Sequence, residues 1–304
     1  MSDRPLRLRR SQLAVPGSSE KMMTKAAASA ADHVFCDLED AVAPNAKPDA
    51  RHQIVNALNN LDWGKKTRCV RVNDTSTQWC YEDIITVVEG AGENLDTIMV
   101  PKVMNAADVL FADKLISQLE QKLNLKKKIG LEVLIEEVEA LQNVEEISTA
   151  SPRLEAMIFG MGDYSASMGV DIREIGGANA VYPGDIWHYA RFKITVAARS
   201  AGIDAVDGPY ANFKDEEGFI TECKRANVLG MVGKWAIHPA QIQPALDVFS
   251  PREKDVAWAR DMKEAYLKAE AEGLGSVNHK GVMVDAASMR IFNNVLKKAD
   301  LIGM

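Results

Sequence analysis

The sequence predicts a (β/α)8 TIM barrel followed by a C-terminal helical lid extension. Three observations lead there. Eight short apolar or β-branched runs, bounded by turn residues, recur along the chain. Helix-like segments separate most of them in β-then-α order, and parallel strands need such crossovers. The first strand-to-helix turn, QLAVPGSSEK, has one glycine and no GxGxxG, so a doubly wound open sheet lacks its usual signature.

The expected strands are 12–16 (QLAVP), 33–39 (HVFCDLE), 68–73 (RCVRVN), 97–102 (TIMVPK), 130–136 (GLEVLIE), 156–163 (AMIFGMGD), 204–210 (DAVDGPY) and 230–238 (GMVGKWAIH). Near-continuous apolar character fits parallel strands buried on both faces. The expected helices are 18–31, 47–60, 78–91, 106–122, 137–149, 186–201 and 215–228. Residues 106–122 carry a stripe of Val109, Leu110, Leu115, Ile116 and Leu119, continued by Leu123. Asp215, Glu216 and Glu217 open a helix at its positive end and are read as structural. Residues 168–186 form a long glycine-containing loop, and loops of that length are usually functional. The tail reads as a helix over 251–272, the linker GLGSVNHKGVMV and a helix from about 285 to 300. The domain assignment is therefore a barrel over 1–250 and an extension over 251–304.

With 304 residues, 47% hydrophobic and 26% charged, the chain has ample material for one large core. No run reaches the ~18 apolar residues of a membrane span, and the basic N-terminus has no apolar signal region. The four cysteines (Cys36, Cys69, Cys80, Cys223) form no CxxC pair and read as reduced thiols, which implies a cytoplasmic protein. A net charge of −7 argues against nucleic acid as a partner. Arg4 and Arg7 read as a solvated terminus, whereas Arg10, beside the first strand, is a candidate anion ligand.

Chemistry in such a barrel sits at the C-terminal ends of the strands. The polar residues there are Asp37, Glu39, Asp40, Arg71, Asn73, Lys102, Glu132, Glu136, Asp163, Asp207 and His238. Carboxylates converging on one mouth repel each other unless a cation joins them. Glu136 and Asp163 close adjacent strands, and oxygen ligands suit a hard ion such as Mg²⁺. Asp40 and Asp163 are also placed to cap the following helices, Glu132 to enter an ion pair inside the barrel, and His238 to be a structural histidine. The five histidines have no metal-ligand spacing, and there is no GxSxG or HExxH.

The ordered motifs SQLAVPGS, DLEDAVAPNAK, VRVN, IMVPKV, EVLIE, GMGDYSAS, VDGPY and GKWAIHP resemble the citrate lyase β-subunit-like branch of the HpcH/HpaI aldolase superfamily. LDWGKKTRCVRVN, LGMVGKWAIHP and KGVMVDAAS resemble its malyl-CoA/β-methylmalyl-CoA lyase subgroup, over roughly residues 10–300. The resemblance implies a Mg²⁺- or Mn²⁺-dependent barrel that cleaves or forms a C–C bond beside a coenzyme A thioester, with an acyl-CoA and a 2-oxo acid as partners. It implies Glu136 and Asp163 as metal ligands, Arg71 on the substrate oxygens, and Glu39 and Asp40 ordering metal-bound water. It further implies Arg10 and Lys25 on the phosphates of coenzyme A, and Asp285 as a proton carrier from a neighbouring subunit, hence a homo-oligomer, trimer or hexamer. The expected reaction is malyl-CoA to acetyl-CoA and glyoxylate, with β-methylmalyl-CoA or citramalyl-CoA as further substrates. The alternatives are a malyl-CoA thioesterase on the same fold and an inactive barrel serving as a binding protein. Relatives tend to read Ser or Thr after EVLIE and GLDT after VRVN. Here Glu137, Glu139 and DTSTQ stand instead, and the loop after the sixth strand is shorter.

Overall fold

A computed structural model describes residues 4–170 and 184–304 of the chain. Two compact units emerge. One comprises Arg4, Pro5 and the described residues of Arg9–Phe249, the other Ser250–Met304 with Leu6–Leu8.

In the first unit eight strands form one parallel sheet: β1 (Ser11–Pro16), β2 (His33–Asp37), β3 (Thr67–Arg71), β4 (Thr97–Val100), β5 (Gly130–Ile135), β6 (Leu154–Phe159), β7 (Asp204–Val206) and β8 (Lys234–Ala236). Neighbours in sequence are neighbours in the sheet, and β8 returns to pair with β1. The remaining seam, β7 to β8, closes through a parallel bridge between Asp207 and Lys234, where the Trp235 N–H donates to the Asp207 carbonyl at 2.9 Å. The eight strands thus make the expected TIM barrel.

Alternation sorts the strand residues. Phe35, Cys69, Met99, Leu134, Ile158, Val206 and Trp235, one from each of seven strands, fill the barrel interior with Ala14 of β1. Their neighbours, such as Val34, Val70, Ile98, Leu131 and Val133, belong to the larger core that includes helix residues Ile54, Ile84, Val87, Val109 and Ile116. The shell contains α1 (Glu20–Ala27), α2 (Lys47–Asn60), α3 (Cys80–Ala91), α4 (Ala106–Leu123), α5 (Val138–Gln142), α6 (Val144–Thr149), α7 (Met161–Ser167), α8 (His188–Ala201), α9 (Glu216–Val228) and α10 (Ile242–Phe249). Asn105 and Asp108 form a capping box at the head of α4, and Asp215 caps α9 through the Gly218 N–H.

Several boundaries differ from expectation. The sixth strand stops at Phe159, and α7 starts at Met161, so Asp163 stands in a first helical turn. The segment 137–149 is two short helices meeting at Asn143. The helix α10 was not read from the sequence. The loop 168–186 lies largely outside the described residues.

In the second unit α11 (Glu253–Ala271) and α12 (Ala286–Ile302) flank an antiparallel hairpin, β9 (Ser276–His279) and β10 (Val282–Asp285), where a linker was expected. Its two-residue turn, Lys280-Gly281, has φ of 51° and 80°, the left-handed pair that a tight hairpin needs. Val256, Met262, Tyr266, Val284, Met289, Phe292 and Leu296 form this unit's own core.

Candidate active site

The mouth of the barrel is built on Asp37 and Arg71, the last residues of β2 and β3, which stand directly opposite in register. The guanidinium of Arg71 donates from Nε and Nη2 to the two Asp37 oxygens at 2.7 and 2.6 Å. Asp37 also accepts the N–H groups of Glu39 and Ala41 at 2.9 and 3.0 Å. Burial opposes ionisation, yet Arg71 and these donors hold the Asp37 carboxyl below the usual carboxylate range. Arg71 packs over the rings of Phe35 and Trp235, 5.9 and 5.5 Å from their centroids. The interior layer therefore carries the arginine as a rigid platform.

Glu39 is 5% exposed. Its Oε1 accepts from the Lys102 ammonium at 2.5 Å. Its Oε2 lies 2.8 Å from Arg71 Nη1 but accepts no hydrogen bond. Burial holds the Glu39 carboxyl above its ordinary range, against the pull of Arg71 and Lys102. Asp40 is largely exposed at the rim, 3.4 Å from Lys102 Nζ.

Glu136 follows β5 and is 2% exposed. Its Oε1 accepts the Lys102 N–H at 2.8 Å. Burial pushes its carboxyl up to about 8; the charges of Glu39 and Asp163 add to the shift, and Arg71 opposes it. Gly160 makes room for it, because a Cβ there would stand 2.4 Å from Glu136 Oε2. Asp163 is half-buried in the first turn of α7, close enough for its charge to act on Glu136. A buried carboxyl that ionises only at a cost, a second carboxylate beside it and a Glu39 oxygen that accepts no hydrogen bond form a hard-oxygen donor set whose mutual repulsion a cation would relieve. Glu136 and Asp163 fit a divalent oxygen-seeking cation such as Mg²⁺.

The structure thus brings Glu39, Arg71, Glu136 and Asp163 together, with Asp40 at the edge. Arg10 is corrected. It precedes β1 and so stands at the N-terminal rim, where it pairs with Asp32 at 2.7 Å. Lys25 is exposed in the last turn of α1. Asp285 lies in the second unit, between β10 and α12, where its Oδ1 accepts from the N–H and hydroxyl of Ser288 at 2.8 and 2.9 Å. These bonds hold its carboxyl below the ordinary value. His238 is structural: Nδ1 accepts the Ala240 N–H, and the ring stacks on Phe213. Glu132 lies below the interior layer, held by Arg9, Gln12, His33 and Thr97. His33, Cys69 and Glu132 place ligand-type atoms within 4.8 Å of one another. That carboxylate already has four donors, however, and Arg9 supplies its countercharge.

Lys102 is legible in the sequence only as a strand-end residue. Its backbone is left-handed, with φ of 48°. That conformation aims its N–H at Glu136 and its ammonium at Glu39, and the tripeptide Pro-Lys-Val has no signal for it. A cavity of about 350 Å³ opens beside Glu39 and Lys102, lined also by Lys47, Asn73, Asp74 and Trp79.

The HpcH/HpaI aldolase/citrate lyase family model matches residues 10–239. The chain belongs to this family. An L-malyl-CoA/beta-methylmalyl-CoA lyase of Rhodobacter capsulatus is 45% identical over 98% of this chain and 96% of its own length. A (3S)-malyl-CoA thioesterase of Cereibacter sphaeroides is 34% identical over 96% of this chain and 95% of its own. Among solved structures, the protein CitE of Mycobacterium tuberculosis in complex with magnesium, acetoacetate and coenzyme A superposes with a TM-score of 0.73. It is 26% identical and covers 95% of this chain and 97% of that one. The HpcH/HpaI aldolase/citrate lyase match spans all eight strands of the barrel and every mouth residue named above.

Proposed function

We propose that this chain is a Mg²⁺-dependent acyl-CoA lyase that cleaves malyl-CoA to acetyl-CoA and glyoxylate, or condenses them, and acts also on β-methylmalyl-CoA or citramalyl-CoA. The observation that carries this reading is Glu136. A carboxyl buried beside Glu39 and Asp163 at the mouth of a barrel is costly to ionise without a cation. The near full-length relation to a malyl-CoA lyase supplies the substrate.

Glu136 and Asp163 hold the ion, which when bound supplies a Lewis acid and a template for the oxygens of the hydroxy or oxo acid. Arg71, fixed by Asp37, keeps its remaining guanidinium hydrogens for the oxyanion charge that develops as the C–C bond breaks. In cleavage the substrate hydroxyl gives up its proton to water ordered by Glu39 and Asp40, and its oxygen becomes the aldehyde oxygen of glyoxylate. The C–C electron pair passes to the thioester as an enolate, which takes a proton at its α-carbon. Asp285, brought by the tail 251–304 of a neighbouring subunit, takes that proton up from solvent and delivers it. Its lowered pKa makes the carboxylate its resting form, the form that removes the α-proton in the condensation direction. Glu39 and Asp40 order water beside the ion, and Lys25 receives a phosphate of coenzyme A.

No helix among the described residues is long and apolar enough to cross a membrane. The four buried free cysteines favour the cytoplasm, and the shared site requires a homo-oligomer, trimer or hexamer. The thioesterase relative supports the second reading, release of free malate from the same site. The test is condensation of acetyl-CoA with glyoxylate followed by mass spectrometry. Malyl-CoA forms with Mg²⁺, disappears with a chelator and returns on adding Mg²⁺ back. Condensation that ignores the chelator would overturn the metal assignment.

A further inference from the structure

The mouth holds more negative charge than a pair of metal ligands requires. Asp37, Glu39, Asp40, Glu136 and Asp163 are five carboxylates, and among the described residues Arg71 and Lys102 are the cationic side chains that bond their oxygens. Arg71 is committed to Asp37 and faces Glu39. Lys47 also acts on Asp37, Glu39 and Asp40, but its ammonium is held by the Leu38 and Glu39 carbonyls; Lys102 is the cation bonded to Glu39 and, through its N–H, to Glu136. With a divalent ion bound and Lys47 included, the formal balance of these groups is zero; without the Lys102 ammonium it would be one negative charge. A 2-oxo acid enters as an anion, so this balance decides between holding the ion and admitting the substrate.

We propose that Lys102 is a positioning residue that sets the charge balance of the mouth, weakening the hold on the cation while admitting an anionic 2-oxo acid. The inference rests on the metal-dependent lyase reading above. Its geometry comes from one residue acting twice. The left-handed backbone directs the Lys102 N–H to Glu136, and the side chain reaches Glu39 and the edge of Asp40. The two tasks are separable. Lys102→Met keeps the N–H and removes the charge. Lys102→Arg keeps the charge. Lys102→Gly keeps the backbone conformation, which glycine adopts without strain.

The experiment uses the full chain at about pH 8.5, where carboxyl groups of ordinary pKa are ionised. Mg²⁺ affinity is measured by calorimetric titration without substrate, and the KM for glyoxylate in condensation. The account expects Lys102→Met and Lys102→Gly to bind Mg²⁺ about tenfold more tightly and to raise the glyoxylate KM about tenfold, with Lys102→Arg close to wild type in both. Unchanged or weaker Mg²⁺ binding in the two neutral variants, with wild type binding Mg²⁺ and turning over, overturns the inference. A wild type that binds no Mg²⁺ overturns the lyase reading instead. Circular dichroism identifies a variant that fails to fold, and the inference is then judged on the other neutral variant.

Discussion

Glu136 is the residue on which the account turns. Its carboxyl is held at about 8 in the folded protein, against an ordinary value of 4.5. The folded state therefore binds this proton more tightly than the unfolded chain does. The resulting stabilisation is fully present below about pH 4.5 and is lost as the pH rises through about 8. Glutamine keeps an acceptor for the Lys102 N–H but has no charge to bury. Glu136→Gln should abolish turnover and Mg²⁺ binding. Its metal-free melting temperature should exceed that of wild type above about pH 8, and the advantage should shrink towards acid pH. Scanning calorimetry across pH checks this, and a variant that melts lower at every pH would make Glu136 a structural residue. The acid itself was legible from its place at the end of an apolar run. Glu39, Arg71 and Asp163, which act on its charge, were legible as strand-end residues too; the Lys102 N–H, which partly offsets the rise, was not, because it is aimed by a left-handed backbone that no neighbouring residue announces. Arg10 shows the opposite error. Adjacency to the first strand was readable, but the functional rim is where strands end, and Arg10 stands where one begins.

At the scale of elements, the junction of β6 and α7 determines whether the cation site exists. Apolar residues continue through Met161, so the pattern carries the strand on to Asp163; periodicity cannot separate a strand end from a buried helix start. The turn at Gly160 is what admits Glu136. Gly160→Ala would place a methyl 2.5 Å from the Glu136 Cβ. It should weaken Mg²⁺ binding at least about tenfold, seen by titration; unchanged affinity would show that the junction has slack. The junction of β10 and α12 makes a second test. Asp285 is both the cap of α12 and the proposed proton carrier. Asparagine caps about as well as aspartate but cannot carry the proton. Asp285→Asn should leave the melting temperature nearly unchanged while turnover falls by a factor on the order of 10²–10⁴. Retained turnover would leave the residue with its capping role alone. The hairpin before it escaped the sequence reading because Lys-Gly is not among the usual turn pairs and the strands are short and mostly exposed.

For the molecule as a whole, eight apolar runs sufficed to predict eight strands, because burial on both faces of a parallel sheet leaves little room for polar residues. Closure was less legible. It depends on the Asp207–Lys234 bridge and on Arg191 and Lys234 converging on one buried carboxylate, contacts that only the register reveals. The sharing of a site between subunits belongs to this scale. Glu136→Gln and Asp285→Asn proteins, each inactive alone, should regain part of the activity when their subunits are exchanged. No recovery after verified exchange would confine Asp285 to its own chain. The central claim is tested most directly by incubating the purified protein with malyl-CoA and Mg²⁺, trapping glyoxylate as a hydrazone and assaying free thiol in parallel. Glyoxylate without free thiol is the predicted result, and free thiol without glyoxylate would contradict it in favour of a thioesterase.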